Sequence, residues 1–222
     1  MSRPAPFRIA ILISGRGSNM TAITRACLAG SINAEVARVI SDRAEAAGLA
    51  AARDLGAPTA TVARTPGLAA ADFEAQLMQA IDASRPDAIA LAGFMRILST
   101  SFVERYLGRL LNIHPSILPA YKGLHTHRRV LAAGDAEHGA SVHFVTPELD
   151  AGPVVLQSKV RVRPGDSEAT LAARVQATEH IIYPQVLVWF AQRRLQWHDG
   201  AAWLDGTRLE TPIVEDFRAT AL

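Results

Sequence analysis

The chain has 222 residues, of which 49% are hydrophobic and 20% charged, with a formal net charge of +2. These proportions exclude a disordered, collagen-like or disulfide-stapled chain and leave enough apolar side chain for a sizeable core. The balanced charge, without a run of Lys and Arg, gives no nucleic-acid footprint, and the single cysteine, Cys27, excludes an intramolecular disulfide and a cysteine-based zinc site.

The N-terminal apolar stretch, residues 9–13, is too short to span a bilayer. Ser14 and Gly15 interrupt it and no small-residue cleavage site follows, so a cytoplasmic protein with no membrane association is expected. Residues 7–14 are β-branched and aliphatic and predict a first strand, broken by Ser14-Gly15-Arg16-Gly17-Ser18-Asn19. Beyond it Met20, Ile23 and Cys27 recur at helical spacing until Gly30. Residues 35–41 predict a second strand, 44–55 an alanine-rich helix closing at Gly56, and 58–62 a short third strand. After Pro66-Gly67 a helix is expected near 70–84, then a buried strand at 87–92 closed by Gly93. Ser99 is placed to cap a short helix, and 109–113 read as the next strand.

This β-α-β-α-β-α-β-α-β order predicts an α/β, Rossmann-like sheet, parallel in the N-terminal half, with helices on both faces. Such sheets bind ligands beyond the carboxyl ends of their strands, where the loops at Gly15, Gly93 and His114 lie. Residues 138–145 and 154–162 predict longer strands joined through Leu149-Asp150-Ala151-Gly152-Pro153, beginning an antiparallel C-terminal extension. A helix follows over 167–192 with Leu171, Val175, Thr178 and Ile182 on one face, then a hairpin at 193–204 around Asp199-Gly200. The tail, 207–222, predicts no element. With no repeat or linker, one domain over 1–222 is expected.

Three groups of residues carry chemical potential. Gly15 and Gly17 allow a tight turn off the first strand, so that Ser18 and Asn19 present backbone N–H groups at a helix N-terminus, a ready anion site. Met20 stands where a dinucleotide motif needs a glycine, and no Gly-Lys-Ser/Thr follows, so one phosphate monoester fits better than NAD or ATP. The same residues also suit a plain strand-to-helix turn with a serine cap. In Asn112-Ile113-His114-Pro115-Ser116, Asn112 and His114 are two apart and share one side of a strand, where an amide and an imidazole stabilise an oxyanion and move a proton. A structural histidine is the competing reading. Asp150 lies in a turn; near His114 its carboxylate would favour the protonated imidazole, and alone it is an ordinary turn residue.

Other histidines are weaker. His125-Thr126-His127 has the look of a metal dyad but lacks the third ligand a zinc site needs, which favours a loop or helix-capping role. His138 and His143 fit strand positions. Gln176 and Glu179, at i and i+3, share a helix face that is solvated by default and otherwise grips a ligand amine or hydroxyl.

In order along residues 7–206, the chain carries Ser14-Gly15-Arg16-Gly17-Ser18-Asn19, Ala92-Gly93-Phe94-Met95-Arg96-Ile97-Leu98, Asn112-Ile113-His114-Pro115-Ser116, Gly123-Leu124-His125-Thr126-His127, His138-Gly139-Ala140-Ser141-Val142-His143-Phe144-Val145, Leu149-Asp150-Ala151-Gly152-Pro153-Val154 and Ala201-Ala202-Trp203-Leu204-Asp205-Gly206. Together they resemble the phosphoribosylglycinamide formyltransferase family of de novo purine synthesis. The resemblance implies formyl transfer from 10-formyltetrahydrofolate to the amine of glycinamide ribonucleotide, with no metal. It implies a phosphate-binding half at about 1–113, a folate and catalytic half at about 114–206, and a tail. By the resemblance Asn112, His114 and Asp150 are catalytic, while Gly17, Ser18, Asn19, Gln176 and Glu179 bind the substrate. Met95, Arg96, Ile97, Leu98, Asn112, Thr146, Pro147, Glu148, Leu149 and Asp150 bind the folate. The partners implied are these two small molecules, with no nucleic acid and no membrane, in a monomer or a homodimer.

Two departures stand out. Relatives carry Ser-Arg where Ala69-Ala70 stand, which removes a basic contact to the folate glutamate tail unless Arg64 substitutes. Ala140 replaces a hydroxyl or thiol side chain. The alternatives are a formyltetrahydrofolate deformylase, for whose N-terminal regulatory domain a strand starting at residue 7 leaves no room, a methionyl-tRNA formyltransferase, which needs a C-terminal RNA-binding domain, and a non-catalytic folate- or phosphosugar-binding module.

Overall fold

A computed structural model describes residues 6–220; residues 1–5 and 221–222, the ends of the expected domain, lie outside the described residues. The chain divides into two units after Leu111.

The first unit alternates strand and helix: β1 (Phe7–Ile13), α1 (Ser18–Leu28), β2 (Ala34–Ser41), α2 (Ala47–Asp54), β3 (Thr59–Thr61), α3 (Ala70–Asp82), β4 (Ala88–Leu91) and α4 (Thr100–Arg105), before β5 (Leu110–His114), within which the division falls. Its strands run parallel in the order β3-β2-β1-β4. β1 lies between two neighbours, and Ile9, Ala10, Ile11, Leu12 and Ile13 are all fully buried, as an unbroken apolar run in a parallel sheet requires. Each large aliphatic side chain withdrawn there contributes about 2 kcal/mol. Ser99 Oγ accepts from the Phe102 amide and caps α4 as expected.

The second unit holds the rest of β5, then α5 (Thr126–Ala133), β6 (Glu137–Phe144), β7 (Val154–Arg161), α6 (Glu168–Ala191), β8 (Leu195–His198), β9 (Ala201–Leu204), β10 (Thr207–Arg208) and β11 (Ile213–Asp216). β6 and β7 pair antiparallel from Glu137↔Arg161 to His143↔Val154, and a smaller antiparallel sheet runs β10-β9-β8. α6 packs on β6 and β7 through Leu171, Val175, Thr178 and Ile182, all fully buried. Ser167 and Thr170 close a reciprocal capping box at its start.

Three elements escaped the sequence. Residues 126–133 form α5, with His125 in a left-handed conformation at its N-cap. The tail supplies β10 and β11, and β11 adds to β7 in parallel, from Ile213↔Leu156 to Asp216↔Lys159, beside the expected antiparallel pairs. Its sequence, Ile-Val-Glu-Asp, is too short and too acidic to signal a strand; the open edge of β7 decides the pairing.

Asp166, just ahead of α6, receives two bonds from the Arg174 guanidinium at 2.7 and 2.8 Å, with both side chains at least nine-tenths buried. Those bonds hold the Asp166 carboxyl well below the usual carboxylate range. Arg174→Leu strands a buried charge, so urea denaturation is expected to show a loss of about 3 kcal/mol; a loss below about 1 kcal/mol, the level of an exposed pair, contradicts this account of the helix start.

Candidate functional site

In the first unit the turn after β1 places Gly17, at φ +73, in the N-cap position, so that Ser18 opens α1. The N-cap glycine offers no capping side chain and no acidic residue occupies the first turn, so the helix dipole favours an anion there. The serine-cap reading is therefore replaced: the glycine takes the cap, and Ser18 is half-buried while Asn19 is buried. Gly48 was missed by the sequence. Its N–H donates to the Gly15 carbonyl at 3.0 Å, and a Cβ on it would fall 2.6 Å from Ile13 Cδ1 and 3.1 Å from Gly17 Cα. A glycine one position into an alanine-rich helix is the signal that backbone meets backbone there.

The segment after β4 crosses the end of β1. Ser14 donates its N–H to the Gly93 carbonyl at 3.1 Å and accepts the Met95 N–H on Oγ at 2.8 Å. Arg96 Nε meets Asp42 Oδ2 at 2.6 Å. Met95 and Ile97 remain exposed, Ile97 to 86%, and Leu98 is half-buried, so this segment offers apolar side chains to a ligand. Arg64 is turned into its own loop, donating to the Thr65 and Leu68 carbonyls with its guanidinium 5.9 Å from the Phe73 ring centre.

In the second unit Asn112, His114 and Asp150 come together. His114 Nε2 donates to the Tyr121 carbonyl at 2.9 Å, and Nδ1 lies 3.4 Å from Asp150 Oδ2. Both ring nitrogens face oxygen atoms. Asp150 Oδ2 also accepts the Gly123 N–H at 2.9 Å, and Oδ1 lies 3.7 Å from His143 Nε2. His143 is a second residue that the sequence left as an ordinary strand position. Its Nδ1 donates to the Phe144 carbonyl at 2.8 Å, and burial lowers its pKa, so the ring is neutral and Nε2 is a bare acceptor. Asn112 Nδ2 donates to it at 3.1 Å, which fixes the orientation of the amide.

The loop carrying Asp150 is tightly specified. Asp150 adopts φ +47, and a Cβ on Gly152 would fall 1.9 Å from the Phe144 carbonyl oxygen. Thr146 is half-buried, and Pro147, Glu148 and Leu149 are exposed, with Glu148 3.3 Å from Lys122 Nζ. A cavity of about 260 Å³ opens beside Asp150, walled by Leu118, Pro119, Pro153 and Val154 and by Leu209 and Pro212 of the tail. On α6 Gln176 is half-buried and Glu179 is buried, which corrects the solvated-face expectation for that pair.

The His125-Thr126-His127 dyad divides. His125 is exposed, whereas His127 Nδ1 lies 3.0 Å from His138 Nε2, tying α5 to β6. Among the described residues no group of three or more His, Cys, Asp or Glu side chains is placed to hold a metal ion.

A formyl transferase family model matches residues 7–187. The chain is 55% identical over 201 residues to phosphoribosylglycinamide formyltransferase of Escherichia coli, covering 90% of this chain and 95% of that one. The structure of phosphoribosylglycinamide formyltransferase from Coxiella burnetii superposes with a TM-score of 0.89 at 47% identity, over 95% and 99% of the two chains. A formyltetrahydrofolate deformylase from Burkholderia mallei superposes with a TM-score of 0.82 at 26% identity, over 90% of this chain and 70% of that one.

Burial, with the neighbouring His127 and His114, pushes His138 down to about 4, and burial lowers His127 as well. Below about pH 6.5 an unfolded chain takes up protons that the folded pair refuses. The stability they contribute is complete above that pH and is lost as the pH falls toward 4. Denaturant titrations are expected to lose about 2 kcal/mol between pH 6.5 and 5 from His138 alone, and an unchanged midpoint across that interval contradicts a neutral pair.

Proposed function

The chain belongs to the formyl transferase family, and from that premise we propose that it transfers the formyl group of 10-formyltetrahydrofolate to the amine of glycinamide ribonucleotide in purine synthesis, both units serving as one formyltransferase domain. The observation that carries this reading is the set formed by Asn112, His114 and Asp150, in a chain 55% identical to a named transferase of that kind.

In this reading Gly17, Ser18 and Asn19 hold the substrate phosphate at the start of α1, and Gln176 and Glu179 hold the amine end. Met95, Arg96, Ile97, Leu98, Thr146, Pro147, Glu148 and Leu149 hold the folate. The amine nitrogen attacks the formyl carbon, a C–N bond forms, and the carbonyl π pair moves onto oxygen. The free N–H of Asn112, whose other N–H is taken by His143, donates to that oxyanion. His114 donates Nε2–H to it when the oxyanion replaces the Tyr121 carbonyl as acceptor, while Asp150 accepts from Nδ1–H. Charge-assisted donors excluded from water supply several kcal/mol of such stabilisation. An oxyanion pair then re-forms the carbonyl as the bond to N10 breaks with its electron pair on N10, which gains the proton that the attacking nitrogen loses. Nothing is oxidised or reduced.

Purified protein given 10-formyltetrahydrofolate is expected to release tetrahydrofolate only when glycinamide ribonucleotide is present. Formate release without the acceptor identifies a deformylase, the reaction of the fold neighbour, and tight folate binding without turnover identifies a binding module. His114→Ala is expected to lower kcat by about two to four orders of magnitude, and near-normal turnover removes it from the mechanism.

His143 acts through Asn112. His143→Phe keeps the ring but offers no acceptor, and is expected to lower kcat by about ten- to a hundredfold with little change in either KM. His143→Gln, which retains an acceptor, is expected to recover part of that loss; wild-type kcat in the Phe variant shows that the amide needs no such anchor.

A further inference from the structure

Asp42 follows β2 directly, and its side chain is wholly withdrawn from water, yet among the described residues only one carboxylate oxygen has a partner. Oδ2 takes the Nε proton of Arg96, and Oδ1 is buried with no hydrogen-bond partner. A carboxylate in that state costs stability, because the desolvation of a buried charge is seldom repaid by one pair and the orphaned oxygen adds to it. An amide or an apolar side chain would serve packing better. Groups held at such a cost mark a functional constraint.

Arg96 supplies the reason. It meets Asp42 through Nε, its side chain is 36% exposed, and its two terminal nitrogens carry the other four of its five N–H donors, in a plane that matches a carboxylate. Its backbone neighbour is fixed too, since Met95 N–H is held by Ser14 Oγ. Position 70 offers no cation, and Arg64, whose backbone N–H meets the Asp42 carbonyl at 3.2 Å, turns Nη1 onto the carbonyls of Thr65 and Leu68 in its own loop.

We propose that Asp42 is a positioning residue for the formyl donor: it fixes the Arg96 guanidinium so that the terminal nitrogens face a carboxylate of the donor's glutamyl tail. This rests on the reading that residues 95–98 bind the folate. Asp42 touches no ligand; it withholds Arg96 from other rotamers, so the ordering entropy is spent before the donor arrives.

The test measures dissociation constants of the intact chain for 5-formyltetrahydrofolate, which does not react, and for its pteroate counterpart, which lacks the glutamate. Wild type is expected to favour the glutamyl ligand by about tenfold or more. Asp42→Ala is expected to weaken the glutamyl ligand by about five- to twentyfold and leave the pteroate unchanged. Asp42→Asn, whose amide oxygen still accepts from Nε, is expected to stay within about threefold of wild type. Adding Asp42→Ala to Arg96→Ala is expected to cost nothing further, and Asp42→Ala is expected to melt at the wild-type temperature or above it. Equal weakening of both ligands, additive losses in the double variant, or a lowered melting temperature overturns the proposal. If wild type binds neither ligand, the donor-site reading falls and this inference with it. If it binds and discriminates as described without acceptor-dependent transfer, the reaction assignment fails and the role of Asp42 stands.

Discussion

The carboxylate of Asp150 is the group around which a cluster of side chains in the second unit is assembled. It projects from a backbone held at φ +47, a left-handed conformation that costs an L residue about 1 kcal/mol or more, so the surroundings must enforce it. Two residues later Gly152 lies against the Phe144 carbonyl, where no Cβ fits, and the Gly123 amide binds the carboxylate itself. The loop has no room to relax toward an ordinary turn without losing these contacts. His114 and His143, on neighbouring strands, are thereby presented with one acidic group between them.

Four histidines of this unit show how environment sorts one residue type into different work. His114 has an oxygen atom at each ring nitrogen, the Tyr121 carbonyl at one and the Asp150 carboxylate at the other. His143 is buried with one nitrogen committed to a backbone carbonyl, which makes the other an acceptor for Asn112. His127 and His138 face each other, and burial, with repulsion from the neighbouring ring added at His138, disfavours their charged forms. Within one chain the imidazole therefore serves as donor, as acceptor and as a structural link.

How far the sequence spoke depended on whether local pattern or distant geometry set the outcome. The run from Phe7 to Ile13 and the step of Leu171, Val175, Thr178 and Ile182 were legible because burial imposes the period directly. The pair Asn112 and His114 was legible because a strand puts alternate residues on one side. The strand Ile213–Asp216 was not, since the free edge of β7 forms it rather than its own propensity. Nor was the anchor that His143 gives Asn112, which joins residues 31 apart in the chain, or the Tyr121 carbonyl on His114, which depends on how the loop after β5 folds back on the strand. Glu179 looked solvated because i, i+3 spacing defines a face without saying what covers it.

Asp42 and Asp150 use one physical device in two places. Each carboxylate is almost wholly withdrawn from water and meets a nitrogen group, Arg96 in one unit and His114 in the other. In each case one nitrogen is spent on the acid, and the remaining donors are set by geometry rather than by solvent. A cation free in water reorients as a ligand arrives and loses entropy in doing so; one tethered to a buried acid has already lost it. The stability given up by burying the acid thus becomes orientation of the base. It follows that truncation of Asp42 to alanine is better tolerated by the fold than by the ligand, whereas changes to the glycines that shape the loops, Gly48 and Gly152 above all, disturb both together.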